Sequence, residues 1–171
     1  MTSIENFNVI ITGDKNSGKT SFVNKFLTGN LVGFPTSLNQ KVVEVKYKEG
    51  RVLNTCTFTF IEKNSVDINK ADDSFPCNGL IVMYDLSKDL FRDKTNQTID
   101  FYLKNMDGSV PIVVCGNKTD KVDKVDELNV DKFENCKFCI CSVKENKGIN
   151  DVILSLLKRF KNSDKKIVLI N

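Results

Sequence analysis

The chain has 171 residues, 40% of them apolar and 27% charged, with a formal net charge of +3. That suits one globular domain with a proper core, and a weak, scattered positive charge argues against direct binding to nucleic acid. No histidine is present, which excludes Ser-His-Asp and Cys-His catalysis and histidine-dependent metal sites. Six cysteines without an export signal or a bilayer-length apolar stretch predict reduced thiols in a soluble cytoplasmic or nuclear protein.

In chain order, the apolar run Phe7–Thr12 predicts a strand. It leads into Gly13-Asp14-Lys15-Asn16-Ser17-Gly18-Lys19-Thr20, which fits G-x-x-x-x-G-K-[ST]. A helix follows over Lys19–Leu27, with Phe22, Val23, Phe26 and Leu27 on one face. Strand, glycine loop and helix in that order aim backbone N–H groups and a helix N-terminus at one anion. Ser21 falls in the first helical turn. Lys19 would reach the outer phosphates of a nucleoside triphosphate, and the Thr20 hydroxyl would ligate Mg²⁺. An ordinary glycine turn is the bland alternative, and the flanking strand and helix count against it.

Gly29 and Gly33 predict a loop to about Asn39, and Lys41–Tyr47 and Leu53–Ile61 read as an antiparallel hairpin. Glu62–Pro76 is polar and breaks both periodicities, so a loop with one helical turn is expected. Leu80–Asp85, Pro111–Cys115 and Cys136–Cys141 predict buried strands, Leu90–Leu103 a helix, and Ile149–Phe160 a closing amphipathic helix. Asp123–Asp131 reads as a solvated loop and short helix. The expected fold is α/β: a six-stranded, mostly parallel sheet with one antiparallel hairpin and helices on both faces. One domain is expected over 1–162, with a short tail over 163–171. That tail either packs as an added strand, finds a partner or frays.

Asn117-Lys118-Thr119-Asp120 stands at the carboxyl end of the predicted strand Pro111–Cys115, the ligand side of such a sheet. A carboxylate there can accept hydrogen bonds from guanine N1–H and the N2 amine, whereas adenine presents an acceptor at N1 and no N2 amine. Hydrogen bonds to a charged group contribute roughly 1.5–3 kcal/mol each, so two discriminate by orders of magnitude. Asn117 can bond the ring N7 and brace the phosphate loop, and the Lys118 stem can lie over the purine. These letters are common in surface loops; in register with the phosphate loop they point to GTP or GDP.

With these motifs the chain resembles the Ras superfamily of small GTPases, most of all the Ran family and then the Rab family. The Ran-like stretches are Gly18–Val23, Leu27-Thr28-Gly29 and Pro111–Lys118. The resemblance runs from Phe7 to Phe160 and is weakest between about Leu31 and Asn78. It implies that Cys141-Ser142-Val143-Lys144 is the family's third base-binding loop. Ser142 would support Asp120, the Val143 N–H would meet guanine O6, and Lys144 would pack against the base.

The resemblance also exposes degenerate switches. Thr36 is expected to be the first-switch residue that covers Mg²⁺, with Ser37 as the alternative. Aligning Thr57–Ile61 as the strand before the second switch puts Glu62 where the family has the Asp that holds a Mg²⁺ water. Ser65 then stands for a Gly and Val66 for the catalytic Gln. Another gap placement would bring Asp67 or Asp72-Asp73 into play. Lys15 occupies a position usually filled by a small residue; it would crowd an arginine finger or offer its own ammonium to the phosphates. No catalytic residue is assigned, and slow or lost hydrolysis is expected.

The alternatives are a slow GTPase with rearranged groups, loss of nucleotide binding, or another P-loop phosphotransferase; the two base loops argue against a nucleoside kinase. Cys136-x-x-Cys139-x-Cys141 has metal-like spacing, but without a second ligand pair a cysteine-containing strand is the better reading. No prenylation box or myristoylation signal is seen, so no lipid anchor is expected. The expected partners are effectors or exchange factors, with the chain itself a monomer.

Overall fold

The computed structural model describes residues 4–29, 33–37, 40–64, 77–89, 91–125, 128–131, 133 and 135–170. Strand β1 (Glu5–Gly13) runs into helix α1 (Lys19–Gly29), followed by β2 (Gly33–Ser37), β3 (Gln40–Glu49) and β4 (Val52–Asn64). Then come β5 (Gly79–Asp85), α2 (Phe91–Asn105), β6 (Ile112–Asn117), β7 (Cys136–Ile140), α3 (Ile149–Lys161) and β8 (Ile167–Ile170). A 3₁₀ turn, Thr119–Lys121, follows β6.

The strands form one sheet in the order β2-β3-β4-β1-β5-β6-β7, with β8 added to β3. β4, β1, β5, β6 and β7 are mutually parallel, whereas β3 is antiparallel to β2, β4 and β8. Alternation along β1 divides the core. Val9 and Ile11 face α1 and α3, among Phe22, Val23, Phe58, Ile153 and Leu156. Ile10 faces the opposite way, among Leu80, Val82, Ile99 and Val114 on the α2 side. All seven residues of β5 are buried, as expected of a central strand covered on both faces. On α3, Val152, Ile153, Leu156 and Leu157 are fully buried. Each such side chain contributes roughly 1.5–3 kcal/mol.

The described residues form eight strands where six were expected. The segment expected to be a loop before Asn39 forms β2, because Gly33–Ser37 finds the free edge of β3. Pro35, which has no N–H to donate, is tolerated on that edge strand. The hairpin is longer than its apolar letters suggested, and β4 stays paired with β1 through Gly13↔Asn64. Glu62, Lys63 and Asn64 are therefore strand and not loop. No helix forms over 128–131; Leu128 and Val130 are buried in the α2-side core, so this part is not solvated. The three cysteines of the metal-like pattern straddle the sheet: Cys136 packs on the α2 side, Cys139 and Cys141 on the other. Among the described residues no group of cysteines and acids could hold a metal ion, and no helix is long and apolar enough to cross a membrane.

The tail forms β8, antiparallel to β3 with Tyr47↔Leu169 and Glu49↔Ile167 in register. Ile167 is 2% exposed and belongs to the α3-side core, whereas Val168 is 45% exposed. Ile167→Ala should therefore cost about 2–5 kcal/mol in a urea melt, with Val168→Ala nearly neutral. Equal midpoints for both variants would mean that the tail is not part of the core.

Candidate nucleotide site

The parallel strands β1, β5 and β6 end on one side of the sheet, where the loops after them meet. The first of these, between β1 and α1, depends on two glycines. Gly13 (φ +144°) and Gly18 (φ +104°) have backbone angles that L side chains rarely adopt. A Cβ on Gly13 would collide with the Met83 carbonyl, and one on Gly18 with the Asn117 amide. Asn16 also has positive φ, and Ser17 N–H donates to the Asp14 carbonyl at 3.1 Å. Helix α1 is entered at once, with Phe22 N–H donating to Gly18 O at 2.8 Å.

Lys19 is 7% exposed and folds back over this loop. Its ammonium donates to Gly13 O at 2.8 Å, to Asp14 O at 2.7 Å and to Ser17 Oγ at 3.5 Å. Burial pulls its pKa below the ordinary lysine value, while Glu62 and Asp14 pull the other way. A cation is thus held over a loop whose glycines let its backbone pack closely against Met83 and Asn117.

The loops after β6 and β7 are tied to that loop. Asn117, 2% exposed, donates from Nδ2 to Ser17 O at 2.9 Å. Its Oδ1 accepts from Val143 N–H at 3.2 Å and from the Cys141 thiol at 3.4 Å. Lys118, in the left-handed region, donates to Asn16 O at 2.8 Å and to Asp85 Oδ2 at 2.6 Å. Ser142, fully buried, donates to Asp120 Oδ1 at 2.7 Å and accepts from Glu145 N–H at 3.2 Å. That hydroxyl holds the Asp120 carboxyl below the usual carboxylate range, opposed by desolvation and aided by Lys144 and Lys121. Lys144 itself is exposed.

At the end of β4, Glu62 lies beside Ile11 in the β1 register, and its Oε2 accepts from Thr20 Oγ1 at 3.2 Å. The other oxygen, Oε1, is buried without a hydrogen-bond partner. A hydroxyl and a carboxylate with an unused buried oxygen are hard donors of the kind Mg²⁺ takes, so these residues fit that ion. Thr36 and Ser37 fall in β2, but their side chains lie outside the described residues, as do Ser65, Val66, Asp67 and Asp72-Asp73 entirely.

A cavity of about 710 Å³ opens on the α2 side of the loop, lined among others by Gly13, Lys15, Asp85, Phe91 and Lys94. Lys94 lies 3.3 Å from Asp14, and both are substantially exposed. Two contributors escaped the sequence reading. Cys141 was placed in a cysteine-containing strand and at the start of the third loop with no role for its thiol, which is buried and meets Asn117. Asp85 closes an otherwise apolar run on the ligand side of the sheet; that lone charge was the available signal.

The fold and this convergence define a P-loop nucleotide-binding protein of the small-GTPase class. A family model described as the Ras family matches residues 8–162, and the chain belongs to that family. No curated protein gives a significant match. The chain is accordingly a GTP-binding small GTPase; members of this family bind guanine nucleotide, generally with Mg²⁺, and act through effectors and regulators.

Proposed function

We propose that the chain holds GTP or GDP as a signalling or transport switch, of Ran-like and then Rab-like kind, with hydrolysis slow or lost. The observation that carries the binding half is the 2.7 Å bond from Ser142 to Asp120, beside an Asn117 amide anchored on Ser17 O. It presents an oriented carboxylate to guanine while the neighbouring side chain braces the phosphate loop. Gly13–Ser21 would take the phosphates. Asn117, Lys118, Asp120, Ser142, Val143 and Lys144 would take the base.

The hydrolysis half rests on composition at the second switch. Valine at 66 has no group with which to orient a water, and Lys15 crowds the approach of an external arginine. Bound Mg²⁺ would supply charge neutralisation at the phosphates. Thr20, Glu62 and the first-switch Thr36 or Ser37 would hold it, Glu62 through a water. The orphaned Glu62 oxygen also favours a second reading, a slow but real GTPase, since metal-binding chemistry is retained there. The surroundings we propose are the cytoplasm or nucleus, with protein effectors or exchange factors as partners.

The metal role has its own test. Removal of Mg²⁺ from the unaltered chain should speed release of a fluorescent GDP. In Glu62→Ala that acceleration should shrink by about tenfold, the scale typical of residues that orient a metal's ligands. An unchanged Mg²⁺ dependence would remove Glu62 from the site. Competition of GDP, GTP and ATP for the fluorescent nucleotide tests the base assignment: the guanine nucleotides should displace it and ATP should not.

A further inference from the structure

Asp85 is a carboxylate only 8% exposed at the end of β5, directly opposite Asn117 in the β5–β6 register. Its Oδ1 accepts from Ser87 N–H at 2.9 Å and Ser87 Oγ at 2.6 Å, which fixes the plane of the group. Its Oδ2 accepts from the Lys118 ammonium at 2.6 Å. The same ammonium reaches Asn16 O at 2.8 Å. One lysine thus ties three separate segments: the phosphate loop, the end of β5 and the base loop. Lys118 is also a non-glycine residue at φ 69°. Such a conformation is strained for an L side chain and persists only where the surroundings over-determine it.

On the reading of the site given above, we propose that Asp85 is a positioning residue for nucleotide retention: it holds Lys118 stretched across the base pocket. Burial of the carboxylate is offset by the ammonium and the Ser87 donors, so the group stays ionised. Without it, Lys118 keeps a single neutral carbonyl as its anchor, and its aliphatic stem is no longer held over the purine. Loss of a charge-assisted bond of this kind appears in how fast a ligand leaves, because it acts on a complex already formed.

The experiment measures the dissociation rate of fluorescent GDP from the unaltered chain, Asp85→Asn, Lys118→Met and the double variant, with thermal melts alongside. Asparagine keeps the shape and removes the charge. Asp85→Asn should release GDP roughly ten- to a hundredfold faster. The double variant should be no faster than Lys118→Met alone, because Asp85 acts through Lys118. Ser87→Ala, which leaves the charge in place and loosens its plane, should give a smaller acceleration and serves if Asp85→Asn does not fold. Unchanged release from Asp85→Asn, or from Ser87→Ala in that case, would overturn the proposal. Effects of Asp85→Asn and Lys118→Met that multiply fully would overturn it too, since a merely structural role predicts that result. If the unaltered chain binds no guanine nucleotide, the function proposed above falls, and this role with it. If it binds and Asp85→Asn is silent, only the role of Asp85 falls.

Discussion

Asp120→Ala should abolish discrimination between guanine and adenine nucleotides and weaken GDP binding by about 3–6 kcal/mol, roughly 10²–10⁴-fold. The carboxylate is the acceptor that matches guanine N1–H and the N2 amine, and Ser142 fixes its direction from 2.7 Å. Alanine removes both bonds and leaves the Ser142 hydroxyl without its acceptor. GMP, GDP and GTP should lose affinity by the same factor, because the contact is to the base alone. Competition titration against a fluorescent GDP reads this directly. A loss confined to GTP would place Asp120 in the wrong role.

Lys19→Met should show the complementary pattern. The ammonium is held by the Gly13 and Asp14 carbonyls at the loop mouth and is the one cation inside the G-x-x-x-x-G-K-T turn that is buried. Removing it takes away charge-assisted bonds worth roughly 1.5–3 kcal/mol each to the outer phosphates. Affinity should fall by roughly two orders of magnitude or more for GTP and GDP and by far less for GMP, which ends at the α-phosphate. Methionine retains most of the stem's apolar contacts, so the fold should survive. A uniform loss across the three nucleotides would show that the variant has damaged the loop and not a phosphate contact.

The two motifs behind these expectations were legible because each is a local pattern with local geometry. G-x-x-x-x-G-K-T follows a strand and opens a helix, and N-K-T-D follows a strand, so letters and backbone coincide. The parallel core strands were legible for the same reason: continuous apolar runs such as Leu80–Asp85 have few other uses. What escaped was set by contacts distant in sequence. Gly33–Ser37 carries Gly and Pro and becomes a strand only because β3 offers an edge. Ile167–Ile170 was left open between an added strand, a partner contact and a frayed end, and pairing with Lys46–Glu49 decides for the strand. Glu62–Asn64 is polar, yet parallel pairing with β1 holds it in the sheet. Asp85 joins the site through a lysine 33 positions away. Leu128 and Val130 were masked by charged neighbours and are buried because the α2-side face of the sheet needs covering.

The same contrast bears on function. Glu62 is one methylene longer than the aspartate of the family pattern, which led to the expectation of a weakened metal contact. With β4 held beside β1, its carboxylate still reaches the Thr20 hydroxyl at 3.2 Å. On the function proposed above, Thr20 and Glu62 would hold Mg²⁺ beside the nucleotide, and Val66 and Lys15 are the residues on which slow hydrolysis rests.

Single-turnover hydrolysis separates these directly. The chain is loaded with GTP and Mg²⁺, freed of excess nucleotide, and the conversion of bound GTP to GDP is followed over hours. Tight retention of GTP is expected, with a rate well below the roughly 3–5 × 10⁻⁴ s⁻¹ of intrinsic Ras hydrolysis. Retained binding with a rate at or above that value would contradict the proposed slow hydrolysis.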